Sequence, residues 1–236
     1  MSIAGLLFDK DATLLDFKKT WGRWSHQFLT DLAEGDASLF ERLAAAVGFD
    51  PACTDFAPGS PVIAGTPEES TALLLPHLPD WSFDTLLAHS NKYAREVEVH
   101  PIVPLAPVLG ALSTHAALGI ATNDSAKAAT RHMEALGVRS FFDAIYGSDS
   151  GYGGKPGPGM CLAFAEEMGL PAAQIAMVGD STHDLEAGRA AGMICVGVTS
   201  GYADEKTLGA LADFVFADIT HLPAWVSAQN ATARRH

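Results

Sequence analysis

Six short apolar runs punctuate the chain: Ile3–Phe8, Leu118–Thr122, Ala144–Gly147, Ile175–Val178, Ile194–Val198 and Phe214–Phe216. From the second run to the fifth, each is separated from the next by a helix-length segment with its own start or stop signal. Ser125 can cap a helix through Leu136 that Gly137 ends, Gly159–Met168 ends at Gly169, and Thr182–Ala191 ends at Gly192. Strands this short and this uniformly apolar are buried on both faces. That is the condition of a parallel sheet covered by helices.

The 236 residues suffice for one large domain, or for a core with a smaller partner, and not for a many-domain assembly. Apolar residues at 48% and charged residues at 18% exclude disorder over most of the length. The balance of 28 acidic against 15 basic residues, a formal net charge of −13, argues against nucleic acid as a partner, because polyanion binding needs clustered lysine and arginine. An anionic substrate would have to be met by charges local to its site. Cys53, Cys161 and Cys195 form no CxxC pair and read as reduced core thiols of a cytoplasmic protein. The start, MSIAGLLFDKD, lacks the basic and apolar regions of a signal peptide. Val99–Asn123 carries no charged side chain, but Pro101, Pro104 and Pro107 interrupt it, so a turn, a helix and a strand are expected there and not a membrane span.

Residues 17–96 have a different character. Amphipathic segments occur around Lys18–Leu32, Ser38–Val47, Pro67–Leu75 and Ser82–Val97, with a Pro-, Gly- and Ser-rich loop from Asp50 to Gly65 and no convincing strand. This predicts a helical insertion between the first strand and the rest of the sheet. The tail, Ala228–His236, is expected to fray.

Ligands of open α/β sheets bind outside the carboxyl ends of the strands. Asp9 and Asp11, in FDKDATL, leave the first strand together, although a lone DxD also occurs in calcium loops, sugar-nucleotide sites and ordinary turns. Thr122 and Asn123 end the second strand with a hydroxyl, an amide and helix-start N–H groups that suit a phosphate oxygen; a helix cap explains them equally well. Lys155 sits in GYGGKPGPG, where glycines and prolines can fix its backbone, although most lysines are exposed loop residues. GDSTHD places Asp180 and Asp184 at a strand end and a helix start. With Asp9 they can hold a hard cation such as Mg²⁺, or act merely as a cap and a first-turn acid; His183 between them reads as a helix-surface residue.

Taken in order, FDKDATL, IATND, GGKP and GDSTHD resemble the four motifs of the haloacid-dehalogenase superfamily of phosphohydrolases, and the layout is similar to its phosphoglycolate-phosphatase-like members. The resemblance implies an α/β fold: a three-layer, Rossmann-like parallel-sheet core over residues 1–16 and 97–236, with an α-helical cap domain over 17–96. It implies Asp9 as nucleophile, Asp11 as acid/base, and Thr122, Asn123 and Lys155 as phosphate-binding residues. Mg²⁺ would be held by Asp9, Asp180 and a backbone carbonyl near Asp11, with Thr13 and Asp184 in support. The implied reaction is hydrolysis of a small phosphorylated metabolite through an aspartyl-phosphate, in a monomer or homodimer without nucleic-acid or membrane partners.

Alternatives remain at this level. A phosphomutase of the β-phosphoglucomutase type would share the core. A phospho-receiver domain would need no cap, a metal-free haloalkanoate dehalogenase would need no acid at position 11, and an inactive binding protein would need none of the acids. Lys18, Trp21, Arg23 and Thr66 are the candidates for cap specificity, with helix packing the competing explanation for Trp21 and Trp24. Ala12 stands where the family usually has glycine. Because phosphoserine phosphatases of the superfamily carry serine there, negative φ and an ordinary helical turn are expected at Ala12.

Overall fold

The protein is described by a computed structural model over residues 2–233. In chain order, β1 is Gly5–Phe8, and a π-helical turn, Lys18–Gly22, leads into α1 (Arg23–Ala33) and α2 (Ala37–Ala46). β2 (Phe49–Asp50) and β3 (Asp55–Phe56) form a minimal hairpin before α3 (Pro61–Ala64), α4 (Pro67–Leu74) and α5 (Phe83–Arg95). Next come α6 (Leu105–Ser113), β4 (Ala117–Ala121), α7 (Ala126–Ala135), β5 (Ala144–Tyr146), α8 (Gly159–Met168) and β6 (Ile175–Gly179). α9 (Thr182–Ala190), β7 (Ile194–Val198), α10 (Glu205–Gly209), β8 (Phe214–Phe216) and α11 (Leu222–Ala233) complete the chain.

The large sheet is parallel throughout, in the order β5-β4-β1-β6-β7-β8. Alternation along β1 builds the two sides of the core. Leu6 and Phe8 pack with Leu109 of α6 and Leu222 of α11 on one face, whereas Leu7 packs with Met160 and Phe164 of α8 on the other. Each such side chain contributes about 1.5–3 kcal/mol when fully buried. Gly119 in β4 is needed for this packing, since a Cβ there would lie 2.6 Å from the Phe164 ring. The chain is thus a six-stranded, helix-covered, Rossmann-like α/β fold.

Residues 17–96 carry their own apolar cluster, built on Phe28, Leu29, Leu32, Leu43, Phe56 and Leu86. Their helices start as side-chain chemistry directs. Asp36 caps α2, and Thr66 and Ser82 cap α4 and α5 with reciprocal capping boxes.

Four local expectations are corrected. The hairpin β2–β3 is a strand pair in a segment read as having none; two residues per strand are too few to leave an alternating pattern. Cys161 and Cys195 are buried, but Cys53 is exposed, on the turn between the hairpin strands. The tail is helical to Ala233, anchored through the buried Trp225 and Val226; the remainder of the expected fraying, 234–236, lies outside the described residues.

The fourth correction concerns Ala12, which has φ 63°. The chain reverses immediately after β1: Leu14 N and Leu15 N both donate to the Lys10 carbonyl, and Ala12 N donates to Leu15 O. A turn this tight forces its central residue into the left-handed region, where a Cβ costs roughly 1–2 kcal/mol. Ala12→Gly is therefore expected to raise stability, by about 0.5–1 kcal/mol once the greater freedom of glycine in the unfolded chain is deducted. A denaturant midpoint at or below that of the parent chain would contradict this.

Candidate active site

β4, β1 and β6 are neighbours in the sheet, so their carboxyl ends open side by side. The connections reverse direction here, since β1 runs on to β4 on one side while β5 crosses back to β6 on the other. That is the crevice in which open α/β sheets place their ligands. It receives Asp9 and Asp11 from β1, Thr122, Asn123 and Asp124 from β4, and Asp180 and Asp184 from β6 and the start of α9. Lys155 arrives from the loop between β5 and α8.

Lys155 is the hub. Its Nζ donates to Asp9 Oδ1, to Asp184 Oδ1 at 2.7 Å and to the Ala121 carbonyl at 2.8 Å, and the side chain is 4% exposed. Asp184 is fixed from its other oxygen, which accepts the Ser181 N–H at 3.0 Å and the Ser181 hydroxyl at 2.7 Å. Thr13 Oγ1 reaches Asp180 at 3.5 Å. Oxygens of Asp9, Asp180 and Asp184 lie within 4.8 Å of one another, an acidic group able to hold a metal ion. Burial, opposed by Lys155 and reinforced by Asp184 and Asp11, pushes Asp9 up to about 7. Burial and then the Asp184 and Asp9 charges push Asp180 well above the usual carboxylate range. Three buried acids against one lysine leave negative charge uncompensated, and an all-oxygen donor set of this kind fits a hard divalent cation.

Asn123 lines the crevice with its side-chain amide already engaged. Its Nδ2 donates to Ala64 O at 2.7 Å and to Lys155 O at 3.0 Å, while its Oδ1 accepts the Lys155 N–H at 2.8 Å. Thr122 is buried beneath it and accepts the Asp124 N–H. Asp11 lines the same crevice, with one carboxylate oxygen accepting the Trp21 indole N–H at 2.6 Å and the other pairing with Lys10 at 3.1 Å.

Sequence reasoning passed over Lys10. This lysine is fully buried, bound to Asp11, Asp124 and His132 Nδ1, with its ammonium 5.2 Å from the Trp21 ring centre. The signal was present in its position between two acids. His132 completes this second cation site, its other nitrogen meeting Ala94 O in the insertion at 2.8 Å.

Burial, and next the Lys10 charge, push His132 down to about 4. With the ordinary value at 6.5, the folded chain binds fewer protons between about 4 and 6.5, so this group's contribution to stability is lost as pH falls through that window. His132→Gln should flatten the acid limb of a stability–pH curve by on the order of 2 kcal/mol. Equal slopes between about pH 4.5 and 6.5 in the two proteins would contradict it.

The remaining candidates separate. Trp21 and Thr66 line the crevice, and so does His183, expected on a helix surface. Lys18 is exposed and paired with Asp55, and Arg23 is exposed; neither lines the crevice.

The model of the haloacid dehalogenase-like hydrolases matches residues 60–198. The chain belongs to this family. It is 38% identical to the phosphoglycolate phosphatase of Escherichia coli K12 over 99 residues, 42% of this chain and 39% of that enzyme. It is 40% identical to a protein of Dickeya dadantii named "Probable phosphatase IndB" over 101 residues, 43% of this chain and 44% of that one. The matched stretch thus spans about two fifths of the length of these curated relatives. Among solved structures, CbbY from Rhodobacter sphaeroides in complex with phosphate superposes with a TM-score of 0.70 at 20% identity, over 93% of this chain and 96% of that one.

Proposed function

We propose that the protein is a Mg²⁺-dependent phosphatase that hydrolyses a small phosphomonoester through a covalent aspartyl-phosphate on Asp9. The observation that carries this reading is the arrangement of Asp9, Asp180 and Asp184 around the buried Lys155 ammonium at the carboxyl ends of adjacent strands. The phosphatase names of the relatives agree with it. Residues 1–16 and 97–236 would form the catalytic core and 17–96 the cap.

A phosphomonoester dianion approaching a carboxylate is repelled, so the site must supply positive charge where the two meet. Lys155, held in place by Asp184 and Ala121 O, supplies one such charge beside Asp9. Asp9, Asp180 and Asp184 would hold Mg²⁺, which when bound neutralises phosphoryl oxygens and screens that repulsion. An Asp9 oxygen attacks phosphorus, and the bond to the ester oxygen breaks as Asp11 hands that oxygen a proton. Asp11 then takes a proton from water as the water attacks the same phosphorus. The bond from phosphorus to Asp9 breaks, leaving inorganic phosphate and both carboxyl groups as they began. The Trp21 N–H and Lys10 fix the direction in which Asp11 points. Among the described residues no helix is long and apolar enough to cross a membrane.

Phosphate release from a panel of phosphomonoesters should require Mg²⁺, vanish in excess chelator and be suppressed by Ca²⁺, whose looser coordination spoils in-line geometry. Asp180→Ala should raise the Mg²⁺ concentration needed for half-maximal rate. Full activity in chelator, or an unchanged Mg²⁺ titration for the variant, would refute the metal assignment.

A further inference from the structure

The crevice continues from the acids into the insertion as an open-mouthed cavity of about 150 Å³. Its far wall is apolar, formed by Trp24, Phe28, Leu29, Phe56, Ile63 and Leu74. Among the described residues, no lysine or arginine of 17–96 lines it, and the basic side chains of the insertion are engaged elsewhere or exposed. Lys18 pairs with Asp55, Lys19 with Asp16, and Arg42 with the Ser38 hydroxyl; Arg95 donates to the Asn91 carbonyl, and Arg23 and Lys92 are exposed. The lining lysine, Lys155, is already bonded to Asp9 and Asp184.

We propose that the substrate's leaving group is an apolar, ring-sized body and neither a carboxylate nor a polyhydroxylated sugar. This deepens the phosphatase reading and rests on it. A second anionic group on the substrate would have to be buried here without a cation, facing aromatic and aliphatic carbon, and an unpaired buried charge is strongly disfavoured. The side chains of the insertion that could receive sugar hydroxyls are Ser25, Thr66, Ser70, Ser90 and Asn91, of which Thr66 and Ser70 are already engaged within α4, so a polyhydroxylated sugar would keep fewer partners than it has in water. An aromatic ring meets the wall on its own terms, against the stacked Trp24–Phe28 pair, whose ring centres are 4.9 Å apart. Two residues that line the cavity, Trp24 of the wall and Asn91 beside it in the lining, also carry a buried polar atom without a partner, Nε1 and Oδ1, so a single hydrogen-bonding group on the ring is accommodated.

The test compares three alkyl phosphates on the full chain with Mg²⁺: 2-phenylethyl phosphate, 2-phosphoglycolate and glucose 6-phosphate. All three leave as alkoxides, so preference reports recognition more than intrinsic reactivity. kcat/KM for 2-phenylethyl phosphate should exceed the other two by about tenfold or more. Ile63→Lys, half-buried at the edge of the wall, should lower that value and raise the value for 2-phosphoglycolate. Quenching of tryptophan fluorescence by the non-hydrolysable 3-phenylpropylphosphonate gives a readout independent of turnover. Preference for phosphoglycolate or the sugar phosphate by the parent chain, or an Ile63→Lys variant with unaltered preference, overturns the proposal and leaves the phosphatase reading standing. Saturable phosphonate binding without hydrolysis of any ester overturns the phosphatase reading and supports the apolar cavity. Neither binding nor hydrolysis overturns both.

Discussion

Asp9→Asn is expected to lower phosphate release by on the order of 10³-fold or more while leaving the fold intact. The substitution keeps the shape of the side chain and removes the charge that attacks phosphorus in the proposed reaction. It also leaves Lys155 with Asp184 and the Ala121 carbonyl, so the lysine stays where it is. A buried carboxyl held up near 7 by its surroundings gives the parent chain a further signature. Asp9 has a folded value above its unfolded 3.8, so in the metal-free protein this group binds extra protons when folded across roughly pH 4–7, and its own contribution to stability falls as pH rises through that window, opposite in sign to that of His132. Asp9→Asn should remove part of that fall. A variant turning over phosphomonoesters at more than a few percent of the parent rate would show that another group is the nucleophile.

Lys155→Met is expected to cost the fold more than Asp9→Asn, Asp180→Ala or His132→Gln. The side chain is buried, and its removal leaves Asp9 and Asp184 facing each other and Asp180 without a cation. Breaking a buried pair from one side costs about 3–5 kcal/mol, a large part of the roughly 5–15 kcal/mol that holds a typical domain together. Because the cost falls on carboxylates, it should be larger at about pH 8 than at about pH 5, and added Mg²⁺ should recover part of it. Thermal unfolding at both pH values, with and without the ion, measures all three effects. A midpoint equal to that of the parent chain at the higher pH without metal would mean that the acids are hydrated and the lysine is peripheral.

What could be read from the sequence and what could not divide along a physical line. The strands after Leu118 were legible because a strand buried on both faces writes a continuous apolar run, and the helices between them because Ser125, Gly137, Gly169 and Gly192 mark their ends. The residues that meet at the strand ends were legible because each follows a strand directly. Their partners were not. Nothing local states that Lys10 turns inward to Asp124, 114 residues away, or that His132 joins it. Ala12 misled for a related reason: its positive φ is imposed by Lys10, Leu14 and Leu15 closing a turn around it, not by its own identity. Cys53 reads as a core residue by type, yet it lies on a hairpin turn too short to leave a pattern. In the insertion, helix positions were readable from amphipathic spacing. Which helix faces look into the cavity depends on how the helices pack on one another, and that depends on residues far apart in the chain.

The Asn123 side chain has a practical consequence. Its two amide protons are bound to carbonyls in different parts of the molecule, one to Ala64 in the insertion and one to Lys155 in the loop between β5 and α8. In a nitrogen-15 spectrum those protons give two resonances on a single nitrogen. The first reports on the seating of the insertion over the strand ends, and the second on the placement of the lysine loop. A ligand that moved the helices without disturbing the lysine would shift one resonance and spare the other. The molecule thus carries its own two-channel reporter, readable without attaching a probe.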